Sequence, residues 1–474
     1  MSDPTRMPDS GRVPWRTVVA YGAPAMGAGY MYLILSLYVM KFATDVLLIA
    51  PAIMGVIYSL SRIWDAISDP LVGYLSDKTT SRLGRRRTWI LASSIPIAIG
   101  FYMVFAPPLS LTGDALAIWM GVAIIAFYSA MTIFFVPHLS LGAELSTDYH
   151  ERSRLFGARH AAYIFGSILS LVSLQFLIMR EIEGGDVREL ADQLAVLAVV
   201  VMFGLVIYAS VKLRERPEFQ GRASSSPVKA FRDVWQNRHA RLLIVVTFIE
   251  HVGSSAIAAL TLYVTQYVVG KPAWAAVIIF AYMLPSSASV PLWLPLSRRY
   301  GKIKVWMGGM LLTGTSFGAM FFLPFMESET MRLTWIIAMA FFAGLANGCG
   351  GTIGPSVQGD VIDFDEHETG ERKEGAYFAA WNFVYKGALG LMLLMTGFAL
   401  EWSGFEPNVE QTMQVKLTMV TLYGLFPLVC YAIGAYLFSK FELDEAAYAK
   451  IRASLDARSS NAQNDTQVGA SSNV

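Results

Sequence analysis

Apolar runs of roughly 20 residues follow one another along nearly the whole chain, each long enough to cross about 30 Å of hydrocarbon. This constrains the fold more than any other feature, because lipid offers no partner to a backbone N–H or C=O. Spanning segments must satisfy those groups internally, and runs of this length do so as helices. Composition agrees: 54% of the 474 residues are hydrophobic and 15% are charged, against about 25% charged in soluble domains. The formal net charge of +1 supplies no field that would draw nucleic acid. Cys349 and Cys430 both fall within apolar runs, so neither a disulfide framework nor a CxxC metal site is expected. The opening MSDPTRMPDSGRVPWR is polar and lacks the apolar core of a signal peptide.

Twelve spans are predicted, near 17–45, 52–77, 88–106, 116–142, 155–180, 192–213, 240–269, 274–297, 303–325, 334–358, 375–402 and 414–440. Basic residues concentrate in alternate connections: Arg82, Arg85, Arg86 and Arg87; Arg152, Arg154 and Arg159; a link from Lys212 to Arg241; and Arg298, Arg299, Lys302 and Lys304. Such loops stay on the cytoplasmic side, which puts both termini there. Six spans over 1–213, a middle link over 214–239, six spans over 240–440 and a tail over 441–474 follow from this spacing. The tail ends in SSNAQNDTQVGASSNV and is expected to be partly disordered. RLGRRRTW, Arg82 to Trp89, recurs as RYGKIKVW, Arg299 to Trp306, each time between the second and third spans of a half. Two related six-span halves joined by a basic link are the pattern of the major facilitator architecture. The expected fold is therefore all-α, with twelve transmembrane helices in two pseudo-symmetric bundles.

Ionisable residues inside such spans are costly and mark pathways. Asp65 and Asp69 in RIWDAISDP are four apart, so they share a helix face. Together they offer hard oxygen ligands to Na⁺, or a buried carboxyl that carries H⁺. A structural ion pair with Arg62, one turn earlier, is the alternative. Glu250 and His251 lie about ten residues into the seventh span, as a substrate or proton site or as a satisfied buried pair. Asp77 and the loop arginines Arg82, Arg85 and Arg86 read as a cytoplasmic gate or as topogenic charge alone. Glu144, Asp148 and Arg152 after the fourth span, and Asp360, Asp363, Asp365, Glu371 and Arg372 after the tenth, read as gate salt bridges or as solvated charge. The tenth span is rich in Gly, with Pro355, as a bending gate helix or a tightly packed one requires.

Three blocks, Arg62 to Asp77, Val136 to Arg159 and Gly359 to Gly387, together with GYLSDKTTSRLGRRR, resemble the glycoside–pentoside–hexuronide:cation symporter family of the major facilitators. The resemblance implies a coupling-cation site at Asp65 and Asp69. It aligns Lys386 with the family's eleventh-span lysine, a competing charge partner or a side chain snorkelling to the surface. The family's sugar-binding acids fall on Gly29 and Phe135, and a sugar-holding tryptophan on Leu139, so that half of the site is not kept. Tyr30, Tyr32, Tyr38, Tyr128, Asn347, Gln358, Trp381 and Asn382 are candidate substitutes, since aromatic faces suit sugar rings and also ordinary packing. No Walker A, HExxH or paired metal-ligand motif is present, so neither an enzyme nor an ATP-driven pump is expected. The expected protein is a multi-pass carrier of a bacterial inner membrane. It would move a small sugar-like solute with a monovalent cation, Na⁺ or H⁺, and need no cofactor. Relatives in the same branch resemble lysolipid transporters of animals, which keeps an amphipathic solute open. A non-transporting sensor with the same fold is the other class.

Overall fold

The computed structural model describes residues 12–146, 149–215, 234–370 and 374–443, with Arg232 and a few positions between 447 and 454. Among these no strand occurs. The helices are α1 (Trp15–Lys41), α2 (Pro51–Lys78), α3 (Arg85–Phe105), α4 (Gly113–Glu144), α5 (Tyr149–Ile182), α6 (Val187–Lys212), α7 (Arg238–Tyr263), α8 (Ala275–Ala288), α9 (Val290–Tyr300), α10 (Lys302–Gly318), α11 (Glu329–Thr369), α12 (Glu374–Trp402), α13 (Met413–Val420) and α14 (Phe426–Phe438). Ten helical segments are singly long and apolar enough to cross a membrane. The eleventh crossing is bent by 49° between α8 and α9. Pro291 and Pro295 follow the break, and each removes an amide donor and crowds the carbonyl four residues before it. A further helix of spanning length is α2, which fails that apolarity test and carries Arg62, Asp65, Asp69, Asp77 and Lys78. The residues that suggest function are thus the ones that hide this span from an apolarity test.

The helices begin and end for local reasons. Pro51 opens α2 at a position where its missing N–H goes unneeded. The Asp186 carboxylate accepts the Glu189 N–H at 3.1 Å and caps α6. Gly84 and Gly301 precede α3 and α10 with φ of 111° and 87°, a region that an L side chain avoids. The repeated loop motif is therefore repeated in backbone conformation. Neighbour relations repeat as well: α3 packs on α4 and α6, and α2 on α4, as α10 packs on α11 and α14, and α9 on α11.

Packing divides the chain into two units. One holds residues up to Ser224 with Ser255–Ala276 and Leu389–Met419; the other holds Ser225–Ser254, Val277–Ala388 and the chain from Val420. In the first unit α1 and α5 meet without intervening side chains. A Cβ on Gly166 would overlap the Met26 carbonyl oxygen, and one on Gly29 the Tyr163 carbonyl oxygen. Small residues let helix backbones approach this closely in a membrane. In the second unit the core runs through Trp293, Trp306, Val357, Val361, Tyr377 and Phe438. Gly166→Ala is expected to cost about 1–3 kcal/mol by overpacking, read as a lower unfolding temperature in detergent. Gly157→Ala, on the same helix with nothing within 4 Å of an added Cβ, is expected to leave that temperature unchanged or raised.

Candidate functional site

Spacing places Asp65 and Asp69 on one face of α2, and the packing of α2 on α4 encloses that face. Asp65 is 2% and Arg62 4% exposed. Arg62 Nη1 donates to Asp65 Oδ2 at 3.1 Å, so the ion pair considered as an alternative is formed. The Arg62 guanidinium also lies 3.5 Å from the centre of the Tyr128 ring, a contact worth about 2 kcal/mol when desolvated. Arg62 Nε and Nη2 are buried and make no hydrogen bond among the described residues. One turn on, Asp69 accepts from Thr132 Oγ1 of α4 at 2.8 Å. Gly390 of α12 lies against Arg62, where an added Cβ would stand 2.8 Å from the Arg62 Cβ. An aromatic wall continues the face: Tyr32 packs on Tyr128 at 6.0 Å and on Phe135 at 5.2 Å between ring centres, and the Arg159 guanidinium stands 5.5 Å from the Phe135 ring. Gly29 admits no acidic side chain, because the Tyr163 carbonyl oxygen occupies the place of its Cβ. Leu139 is 41% exposed. Tyr30 is used elsewhere, its hydroxyl donating to Ser173 Oγ at 2.9 Å.

At the arginine-rich end, two guanidinium groups meet two carboxylates. Arg85 Nη2 lies 2.7 Å from Glu144 Oε1, and Arg85 Nη1 3.7 Å from Asp77 Oδ1. Arg86 pairs with Asp77, reaches Glu144 at 3.5 Å and donates to Ser76 Oγ at 2.6 Å. Burial pushes the Glu144 carboxyl up from its ordinary range, against the pull of Arg86 and Arg85. Three arginines opening α3 oppose the helix dipole, and Glu215 answers it. Its carboxylate accepts the backbone N–H of Arg85, Arg86 and Arg87 at 2.8, 2.7 and 2.7 Å. Nothing in the sequence singled out Glu215, one acid within a basic link. Arg82 is exposed, and Arg152 Nε donates to the Ser146 carbonyl at 2.6 Å.

The opposite end of the first unit carries a second charged cluster that sequence reasoning passed over. Lys41 is 2% exposed and Asp45 5%. Lys41 Nζ lies 3.1 Å from Asp45 Oδ2 and 2.7 Å from Glu181 Oε1. Tyr267 Oη donates to Asp45 Oδ2 at 2.6 Å and accepts the Asn408 N–H at 3.1 Å. Thr44 Oγ1 lies 2.7 Å from Tyr263 Oη, and Asn408 Nδ2 donates to the Asp45 carbonyl at 2.8 Å. Thr44 and Asp45 sit in a π-helical turn, Phe42–Val46, and Tyr267 in another, Val264–Val269. Such turns are rare and concentrate where side chains must be re-aimed. The first turns of α2 also meet α12: an added Cβ on Gly55 would stand 2.9 Å from the Leu393 carbonyl oxygen. The available signal was Lys41 and Asp45, an i,i+4 pair of opposite charge inside an apolar run. Asp45→Ala leaves a buried cation short of an anion, an expected loss of about 3–5 kcal/mol seen as a lower unfolding temperature. Arg82→Ala is expected to stay within about 0.5 kcal/mol.

In the second unit Asp360 pairs with Lys302 Nζ at 2.6 Å, and Asp363 accepts from Tyr448 Oη at 2.8 Å. Asn347 Nδ2 donates to Ser286 Oγ at 3.0 Å. Trp381 is buried between Tyr377 and Phe378, each 5.7 Å away. Lys386 is half-buried on α12. Glu250 and His251 lie on α7, and the His251 ring packs edge-on against Tyr385 at 4.9 Å. Arg372, Glu371 and Asp148 lie outside the described residues. No group of three or more His, Cys, Asp or Glu side chains comes together among the described residues.

Comparison with known proteins agrees with the fold. The chain is 26% identical over 428 residues to the inner membrane symporter YicJ of Escherichia coli (strain K12), covering 89% of this chain and 90% of the relative. It is 26% identical to the isoprimeverose transporter of Lactiplantibacillus pentosus, covering 91% and 90%. The glucuronide carrier protein homolog of Escherichia coli (strain K12) is 23% identical, covering 94% and 96%. Among solved structures, the nucleoside transporter NupG superposes with a TM-score of 0.66 at 14% identity, covering 90% of this chain and 99% of that one, a likeness of fold alone. Residues 20–445 match the model of the MFS/sugar transport proteins, and the chain, a multi-pass membrane transporter rather than an enzyme, belongs to that family.

Proposed function

We propose that this protein is a secondary symporter that carries a hydroxylated, sugar-like solute together with a monovalent cation by alternating access. The observation that carries the reading is the enclosed face of α2. There Asp65 and Asp69 supply carboxylate oxygens to Na⁺ or H⁺, while Arg62 presents two buried, unfilled donors beside the Tyr128 ring. Buried donors without acceptors are rare in finished structures, and a solute hydroxyl would fill them. Cation arrival would neutralise Asp65 and free Arg62 toward the solute, which is coupling in its simplest form. The Asp45–Tyr267 cluster would hold the outer end shut, and the Asp77–Arg86–Glu144 cluster would brace the cytoplasmic end. The relatives support the solute class, two of them being named for isoprimeverose and for a glucuronide.

A lysolipid or other amphipathic solute is the second reading. It is favoured by one observation: where the family resemblance puts sugar-binding acids, Gly29 is closed by a backbone carbonyl and Phe135 is aromatic. Uptake by proteoliposomes separates the two. Under an imposed Na⁺ or proton gradient, a glycoside panel is expected to be accumulated and a lysolipid panel not. Asp65→Asn is expected to abolish gradient-driven uptake at normal protein abundance. Full gradient-driven uptake by that variant would sink the coupling role of α2.

A further inference from the structure

We propose that Glu250 is a proton-binding site of the second unit, separate from the cation face of α2. Glu250 lies about 18 Å along α7 from Arg238, counting 1.5 Å per residue, near the middle of a membrane about 30 Å thick. Elements of the second unit surround it. Tyr282 of α8, Cys349 of α11 and Tyr431 of α14 lie near enough for a charge on Glu250 to act on each. The Trp306 indole of α10 is within reach of the carboxyl, and its buried N–H makes no hydrogen bond among the described residues. An added Cβ on Gly350 of α11 would stand 3.6 Å from Trp306 Nε1 and 3.8 Å from Glu250 Oε1, which puts both groups beside the same position on α11. On α7 itself, His251 gives Nδ1 to the Thr247 carbonyl at 2.7 Å and turns its ring to Tyr385. Ser254 bonds the Tyr431 hydroxyl. No lysine, arginine or histidine forms a salt bridge with Glu250 among the described residues.

The groups placed around this carboxyl are an indole, phenols and a thiol, with His251 turned to the Thr247 carbonyl. A carboxylate at this depth without a cation costs several kcal/mol, and no cation pairs with it among the described residues. A hard metal cation would require several oxygen ligands, and no group of three or more His, Cys, Asp or Glu side chains comes together here among the described residues. A proton needs one oxygen. The step is a simple association: the carboxylate takes H⁺ from water on whichever side is open, becomes a neutral carboxylic acid, and releases H⁺ when it next meets water. The orphaned Trp306 N–H marks the place where the charged form would be held. The proposal rests on the reading of the chain as a cation-coupled carrier only for the use made of the proton, not for its binding.

The test is infrared difference spectroscopy of the purified full chain titrated between about pH 5 and about pH 9, without Na⁺ or solute. Wild type is expected to show the C=O band of a protonated carboxyl that forms on acidification. Glu250→Gln is expected to lose it and Asp65→Asn to keep it. A band unchanged in Glu250→Gln, or one lost in both variants, overturns the proposal, as does its absence from wild type. Gly350→Ala provides a second variant with an ordinary van der Waals fit. Its methyl is expected to shift the same band by making the carboxyl's surroundings less polar, and an unshifted band counts against the assignment. Failure of Na⁺-driven uptake would leave these spectra untouched, so the two readings fail separately.

Discussion

A charge inside a membrane span has to be met by another charge, by water or by a proton. On insertion scales an unmet Asp, Lys or Arg at a helix centre costs about 2.5–3.5 kcal/mol, so each buried ion dictates its surroundings. Arg62 and Asp65 answer one another on a single helix turn at 3.1 Å. Tyr128, Tyr32 and the close backbone at Gly390 are arranged around that pair. The pair is worth less to stability than its short distance suggests, because desolvation offsets most of the attraction. A pair so balanced is suited to exchange partners, and that property, more than its strength, fits a carrier.

The same rule organises both ends of the first unit. At one end two arginines and two carboxylates, Arg85, Arg86, Asp77 and Glu144, cancel within a few ångströms while Glu215 satisfies the amide groups that the arginines leave bare. At the other end Lys41 sits between Asp45 and Glu181, and the Tyr267 hydroxyl donates to the Asp45 carboxylate. Hydrogen bonds to a charged group are worth about 1.5–3 kcal/mol each. A few of them amount to the energy scale on which a carrier shifts between two states. The π-turns that follow α1 and α7 bring these groups into line, at the cost of irregular backbone.

Much of this was legible before any coordinates. Twelve spans, the paired loop motif and the shared face of Asp65 and Asp69 follow from hydropathy, repetition and the helical period, all local properties. Gly84 and Gly301 take matching backbone conformations because the motif demands them. What escaped was long-range. Glu215 reaches back some 130 residues to cap α3, and Asp45 meets Tyr267 across 222 residues; a one-dimensional pattern carries no trace of such pairing. Gly29 was legible only as a missing acid. That its Cβ position is taken by the Tyr163 carbonyl turns an absence into a steric rule: no side chain fits there while α1 and α5 stay in contact.

The central claim is that the α2 face binds the coupling cation. Charge displacement in proteoliposomes after a Na⁺ concentration jump at fixed pH tests it without a known solute. The account predicts a transient in wild type on a Na⁺ jump and its loss in Asp65→Asn; where the coupling ion is H⁺, the pH-jump transient falls in that variant to the part that Glu250 carries. A transient of wild-type size in Asp65→Asn would contradict it, and would move the search for the cation site away from α2.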